Sequence, residues 1–115
     1  MRLIYLLLLL LPVVASAGSG SGLVELEAVG EWNGMQLVFF FTSTHANKPS
    51  CNIYHQRWVL DLASERGKAQ YSLLLAAQSS GKQVKVEGSG QCDVWYNSET
   101  VHWVGFPIDY SKYPD

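Results

Sequence analysis

The chain has 115 residues, of which 48% are hydrophobic, and its formal net charge at pH 7 is −2. This length suffices for one modest domain with a single hydrophobic core. No run of basic residues occurs, and nucleic-acid-binding proteins normally carry one, so the composition argues against a nucleic-acid partner.

The first 17 residues have the three parts of a secretory signal peptide. Arg2 supplies a positive charge, residues 3–14 are almost entirely apolar, and small residues occupy positions 15–17. The apolar run is shorter than the about 20 residues that span a bilayer, although an uncleaved membrane anchor stays an alternative. We therefore predict cleavage after Ala17 and a secreted or periplasmic protein. The mature chain, residues 18–115, carries a net charge of −3 because only Arg2 is lost, and no membrane span is predicted in it.

Two cysteines, Cys51 and Cys92, remain in the mature chain. An even number of cysteines in an exported protein predicts a disulfide. In the chain-entropy account, closing a loop of about 40 residues stabilises a domain by about 4 kcal/mol. Two free thiols or a metal pair are the alternatives, but the separation does not match a known zinc spacing.

The first elements are predicted to form a hairpin. Residues 18–22 read GSGSG, which is typical of a flexible lead. Val24, Leu26 and Ala28 alternate with Glu25, Glu27 and Val29, which indicates a strand with one buried face. Gly30 predicts a bulge or bend. The Asn-Gly pair at 33–34 predicts a tight turn, and residues 35–41 form the second strand.

A polar loop follows at residues 42–50, and residues 51–62 are predicted as the third strand. Ser64 is placed to cap a helix over residues 65–80, and Gly81 suits its left-handed end. The apolar stripe of this helix has helical spacing and consists of Ala69, Leu73, Leu74 and Ala77.

The remaining sequence predicts a short strand at 83–87, a turn at 88–90, and a final strand or hairpin at 92–96 and 101–106. Residues 107–115 form an irregular tail. The order strand, strand, strand, helix, strand, strand is that of the oligonucleotide/oligosaccharide-binding (OB) barrel. We therefore expect residues 23–106 to form a mainly β, five-stranded OB-fold-like barrel with one helix, in which Cys51 and Cys92 tie the starts of strands three and five.

One stretch of the chain resembles a group of small exported bacterial proteins that are similar to the B subunit of subtilase cytotoxin. The residues that carry the likeness are Leu73, Leu74, Leu75, Ala76, Ala77, Gln78, Gly81, Lys82, Val84, Gly88, Gly90 and Cys92. The resemblance implies the same small barrel, one disulfide, a helix that lines the centre of a homo-oligomeric ring, and binding of surface glycans. The serine that helps to hold sialic acid in the toxin subunit has no counterpart in residues 31–35, and Glu31 would repel an acidic sugar.

Catalytic and metal-binding chemistry is not predicted. His45, His55 and His102 lack the spacing of a metal site. No nucleophile elbow, phosphate loop or dinucleotide fingerprint is present. Glu25 and Glu27 share one strand face, where exposure to solvent explains two carboxylates. We therefore expect no enzyme, no cofactor and no metal.

Aromatic residues give the strongest functional signal. Most are expected in the core, namely Phe39, Phe41, Trp58 and Trp103. Trp32 lies beside the turn, where its ring can reach solvent, and with Asn33 and the loop residue His45 it forms the candidate ligand-binding set. We predict an exported, non-catalytic module that binds a glycan or a protein partner as a homo-oligomer. The alternative is a monomeric periplasmic or secreted structural or inhibitory domain without a small-molecule ligand.

Overall fold

The computed structural model describes residues 16–115, and the apolar leader predicted at residues 3–14 lies outside the described residues. The strands are β1 (Ser19–Leu23), β2 (Glu25–Trp32), β3 (Met35–Phe41), β4 (Thr44–Ala46), β5 (Trp58–Asp61), β6 (Gln83–Gly88) and β7 (Glu99–Gly105). Helix α1 covers Glu65–Ser80, and a 3₁₀ turn covers Tyr110–Lys112. Within residues 16–115 no helix is long and apolar enough to cross a membrane.

The strands form one seven-stranded sheet in the order β2-β3-β5-β7-β6-β1-β4. Neighbouring strands are antiparallel except β5 and β7, which run parallel. The mainly β class with one helix is confirmed. The closed five-stranded barrel is wrong, because the sheet is open and gains two strands, β1 and β4, from segments predicted as a flexible lead and a loop.

Strand β1 corrects the prediction of a flexible lead at residues 18–22. It pairs with β6 along its whole length, from Ser19 opposite Glu87 to Leu23 opposite Gln83, and with β4 on its other side. At Gly20 an added Cβ would lie 2.9 Å from the Trp58 ring and 2.6 Å from the Thr44 carbonyl oxygen. Close packing therefore requires a glycine at this position. Glycine is also common in flexible linkers, so the sequence alone did not distinguish the two roles.

The hairpin between β2 and β3 is confirmed. Asn33 and Gly34 both have positive φ, 52° and 80°, and Trp32 pairs with Met35 across the turn. Consecutive positive φ angles are what a two-residue hairpin turn requires. The register shift lies between Leu26 and Ala28 rather than at the predicted Gly30.

Helix α1 is also confirmed at both ends. The Ser64 hydroxyl accepts a hydrogen bond from the Gly67 amide at 2.9 Å, which satisfies one of the free amides of the first turn. Gly81 has φ 68° and ends the helix in the left-handed region. Gly67, Leu74 and Ala77 form its buried face.

The third strand and the final hairpin are shorter than predicted. Residues 51–57 and 92–98 are irregular apart from one isolated bridge between Trp95 and Ser98. The disulfide between Cys51 and Cys92 is confirmed, with Cα atoms 6.1 Å apart. It therefore ties two irregular segments together rather than the starts of two strands.

The main core lies between the sheet and α1. It contains Val24, Val38, Phe40, Trp58, Leu60, Leu74, Ala77, Val84, Val86, Val101 and Val104. Trp58 and Phe39 are buried as expected. Trp103 is 45% exposed, so its expected place in the core is wrong. Its ring instead lies against Gly105 of the same strand, where an added Cβ would come within 2.7 Å of the Trp103 ring.

Candidate functional site

The second face of the β2–β3–β5 part of the sheet carries a separate small cluster. Side chains alternate along β3, so Val38 and Phe40 face the main core while Leu37 and Phe39 face the other side. There they pack with Val59, and the irregular segment 92–96 covers them through its side chains. The disulfide at Cys92 holds this covering segment to the 51–57 segment.

Aromatic rings form a continuous chain across this cluster. The Trp32 and Phe39 ring centroids are 5.3 Å apart, edge to face, and Phe39 and Trp95 are 5.7 Å apart in the same arrangement. Trp95 contacts Tyr96 at 5.7 Å. The chain ends at Tyr96, whose side chain is one of the most exposed large apolar groups, at 72%.

Arg57 joins a further ring to this chain. Its guanidinium lies 4.0 Å from the Phe39 ring centroid and 4.1 Å from that of Tyr54, so it is held between two aromatic faces. Tyr54 is 40% exposed. We call Trp32, Phe39, Tyr54, Trp95 and Tyr96 the aromatic face.

Hydrogen bonds fix the orientation of Arg57. Its Nε donates to the Ser98 hydroxyl at 2.9 Å, and one terminal nitrogen donates to Asn97 Oδ1 at 3.0 Å. The other terminal nitrogen donates to Glu27 Oε1 at 2.9 Å. Glu27 is therefore paired, whereas the strand pattern predicted a carboxylate free in solvent. The guanidinium fork holds the 51–57 and 92–98 segments in a fixed arrangement.

A cleft of about 500 Å³ lies at the hairpin end of the same cluster. The start of β3, the end of β5 and the segment that contains Val94 line it. Its polar groups are Gln36, Asp61, Lys68 and Asp93. Val94 also packs on the cluster beneath the aromatic face, so the cleft and the face share one supporting loop.

The structure separates the three residues predicted as a binding set. Trp32 is half-buried against Phe39, and Asn33 is exposed at the turn. His45 lies in strand β4 rather than in a loop and is 4% exposed. Strand β3, which is seven residues long, lies between the hairpin turn and His45. At about 3.3 Å per residue, the strand spans about 20 Å. Binding by Trp32 and Asn33 stays a prediction, whereas His45 is not part of the same surface.

His45 instead belongs to a buried polar cluster. Its ring stacks on Trp58 with centroids 3.5 Å apart, and Nε2 lies 2.7 Å from Glu99 Oε1. Both side chains of the pair have no solvent exposure. The pair joins β4 to β7 in the interior of the domain. Within residues 16–115 no group of three or more His, Cys, Asp or Glu side chains is arranged to hold a metal ion.

Sequence reasoning did not identify Arg57, Tyr96 or Glu99 as important. Arg57 directly precedes the apolar run of β5, and a charged residue at that position was a usable signal for a buried ion pair. Glu99 gave no such signal, because its contacts depend on segments distant in the chain. No protein-family model, curated protein or solved structure matches this chain, so the geometry of residues 16–115 carries the functional inference.

Proposed function

We propose that this protein is an exported, non-catalytic module that binds a neutral glycan on its aromatic face. The observation that carries the proposal is the exposure of two tyrosines on one aromatic cluster: Tyr54, which stacks on Arg57, and Tyr96, which contacts Trp95. A flat ring presents apolar area on its face and a polar hydroxyl at its edge. A pyranose offers the matching pair of an apolar C–H face and hydroxyl groups.

Rigidity favours binding because a preorganised surface loses little conformational entropy when a ligand arrives. The rings are held by edge-to-face contacts, by the Arg57 fork and by the disulfide at Cys92. Two of the five N–H groups of an arginine remain beyond the three hydrogen bonds that Arg57 makes. Glu27, whose side chain is 33% exposed, adds a carboxylate acceptor beside the face.

Charge favours a neutral sugar over an acidic one. Arg57 is paired with Glu27 at 2.9 Å, so this pair adds no net charge to the face. The mature chain, residues 18–115, carries a net charge of −3. An anionic sugar would therefore meet a weakly repulsive field rather than a free cation.

The disulfide and the leader sequence both support export. A disulfide persists in an oxidising compartment, which supports secretion or transfer to the periplasm and removal of residues 1–17. The resemblance to the subtilase cytotoxin B-subunit group supports the same compartment and a toxin B-subunit-like role in glycan recognition.

Homo-oligomer formation would raise the avidity of a weak glycan site. Among residues 16–115, β2 is an edge strand that pairs with β3 on one side, and Val29 on it is 46% exposed, so its other side could pair with another chain. A protein partner would use the same edge. The alternative is a monomeric structural or inhibitory domain without a ligand. A monomeric mass by light scattering, together with no glycan binding, would favour that alternative.

The test is a glycan array probed with mature protein, followed by titration of the best glycan against variants. Y54A and Y96A are expected to weaken binding at least tenfold each, the loss of about 1.4 kcal/mol that one stacked ring contributes. Y113A is the matched control, because Tyr113 is 69% exposed but belongs to the C-terminal tail. A blank array, or equal binding by all three variants, would contradict the proposal.

A further inference from the structure

The carboxylate of Glu99 lies in a pocket made largely of backbone. Its Oε2 accepts hydrogen bonds from the Gly18 nitrogen at 2.8 Å and from the Gly90 nitrogen at 2.9 Å. Its Oε1 contacts His45 Nε2 at 2.7 Å. The side chain has no exposure to solvent. We call Gly18, His45, Gly88, Gly90 and Glu99 the Glu99 pocket.

The pocket requires glycine at two of its positions. A Cβ added at Gly18 or at Gly88 would overlap the Glu99 carboxylate. The Gly18 carbonyl oxygen also accepts a hydrogen bond from the Gly88 amide at 2.8 Å, so both sides of this residue are held. Gly18 is thus fixed with its nitrogen directed at a buried carboxylate.

Position 18 is also the first residue after the predicted cleavage site. Ser16 and Ala17 are exposed, whereas Gly18 is buried, so the change from exposed to buried chain coincides with the Ala17–Gly18 peptide bond. This coincidence comes from the structure and is independent of the leader composition that predicted cleavage. Since Gly18 is buried in the folded domain, cleavage would precede folding.

We propose that the Glu99 pocket is the binding site for the protein's own new N-terminus. An exported-protein peptidase adds water across the Ala17–Gly18 bond, the C–N bond breaks, and Ala17 leaves with a carboxylate. The Gly18 nitrogen takes up protons and becomes an ammonium group, which is largely protonated at neutral pH. It then forms an ion pair with Glu99 in place of the amide hydrogen bond.

The physical reason is the cost of a buried charge. His45 contacts Oε1, whereas Oε2 accepts from the backbone nitrogens of Gly18 and Gly90. A positive charge on the Gly18 nitrogen would act directly on Oε2 and offset the cost of burying the carboxylate. An amide at position 18 donates one hydrogen bond but carries no charge. The folded domain is therefore more stable with a free Gly18 than with the leader attached. The inference goes beyond glycan binding and rests only on the exported-precursor part of the proposed function.

The test compares three forms of the domain released from a fusion by a specific protease: one that begins at Gly18, the same form with an acetylated N-terminus, and one that begins at Ser16. Acetylation removes the charge with little added bulk, because an acetyl group occupies the place of Ala17. The form with a free Gly18 is expected to have an unfolding equilibrium constant at least about tenfold smaller than the other two, a ratio typical of one charge-assisted hydrogen bond. Urea denaturation measures it. Equal stability of the three forms would overturn the proposal.

Two controls keep the result specific. In E99Q the difference between free and acetylated forms should vanish, while in E31Q, which loses the same charge at an exposed position of β2, it should persist. If E99Q does not fold, the reactivity of the Gly18 α-amino group tests the proposal instead. The α-amino group of the native Gly18 form should react with an acylating reagent at least tenfold more slowly than in urea, and a native rate equal to that of a glycyl peptide would refute the pocket. Because all forms are made without export, failure here leaves secretion and glycan binding separately testable.

Discussion

Replacing Arg57 with methionine tests how far one side chain holds the aromatic face together. R57M keeps an unbranched apolar stem between Phe39 and Tyr54 but removes all three hydrogen bonds of the guanidinium. The Ser98 hydroxyl and Asn97 Oδ1 are then left with only the 3.1 Å hydrogen bond between them.

The magnitude follows from the burial of each partner. Glu27 is 33% exposed, so its ion pair contributes little more than a surface pair, about 0–1 kcal/mol. Ser98 and Asn97 are buried, and a buried polar group that loses its partner costs about 1–3 kcal/mol. Together these terms come to about 2–7 kcal/mol, a large part of the about 5–15 kcal/mol that stabilises a typical domain.

Urea denaturation followed by tryptophan fluorescence measures this loss, and thermal melting should show a fall of about 10 °C or more. R57K should also be destabilised, because an ammonium lacks the planar fork that reaches three partners. The matched control is R66M, which removes an exposed arginine of α1 and should change stability by less than about 0.5 kcal/mol. Equal stability of R57M and R66M would refute the reasoning.

Two further predictions concern the disulfide and the hydrophobic core. Reducing the bond between Cys51 and Cys92, 41 positions apart, should lower the free energy of unfolding by about 4 kcal/mol; calorimetry with and without reductant measures this, and an unchanged melting temperature would contradict it. W58A should cost about 3–5 kcal/mol because Trp58 is fully buried. W103A, at a ring that is 45% exposed, should cost about 1 kcal/mol. Denaturation midpoints compare the two variants, and similar losses would show that burial does not govern them.

Features that depend on neighbouring residues were predictable. Helix α1 begins after Ser64 and ends before Gly81 because capping involves atoms within one turn. The turn at Asn33 and Gly34 follows from the positive φ angles that these residue types tolerate. The pairing of Cys51 with Cys92 was predictable because no other cysteine is present.

Features that depend on partners distant in the chain were not predictable from the sequence. Strand β1 has glycine at alternate positions and no hydrophobic period, and it is a strand only because β6 and β4 pair with it. Trp103 was expected in the core because large aromatic rings are usually buried, yet its strand presents the ring outward. The closed barrel failed for the same reason, since strand order depends on pairing between segments far apart.

The sequence by itself determined the mainly β class, the helix with its caps and the hairpin turn, because each depends on residue type and short-range contacts. It also determined the disulfide, because the chain contains two cysteines and no others. Only the tertiary structure decided which charges are buried and which rings are exposed. Glu99 accepts from Gly18, 81 positions away, and Arg57 reaches Ser98 across 41 positions. Such contacts leave no local pattern, because the physical demand that a buried charge meet a partner does not specify where in the chain that partner lies.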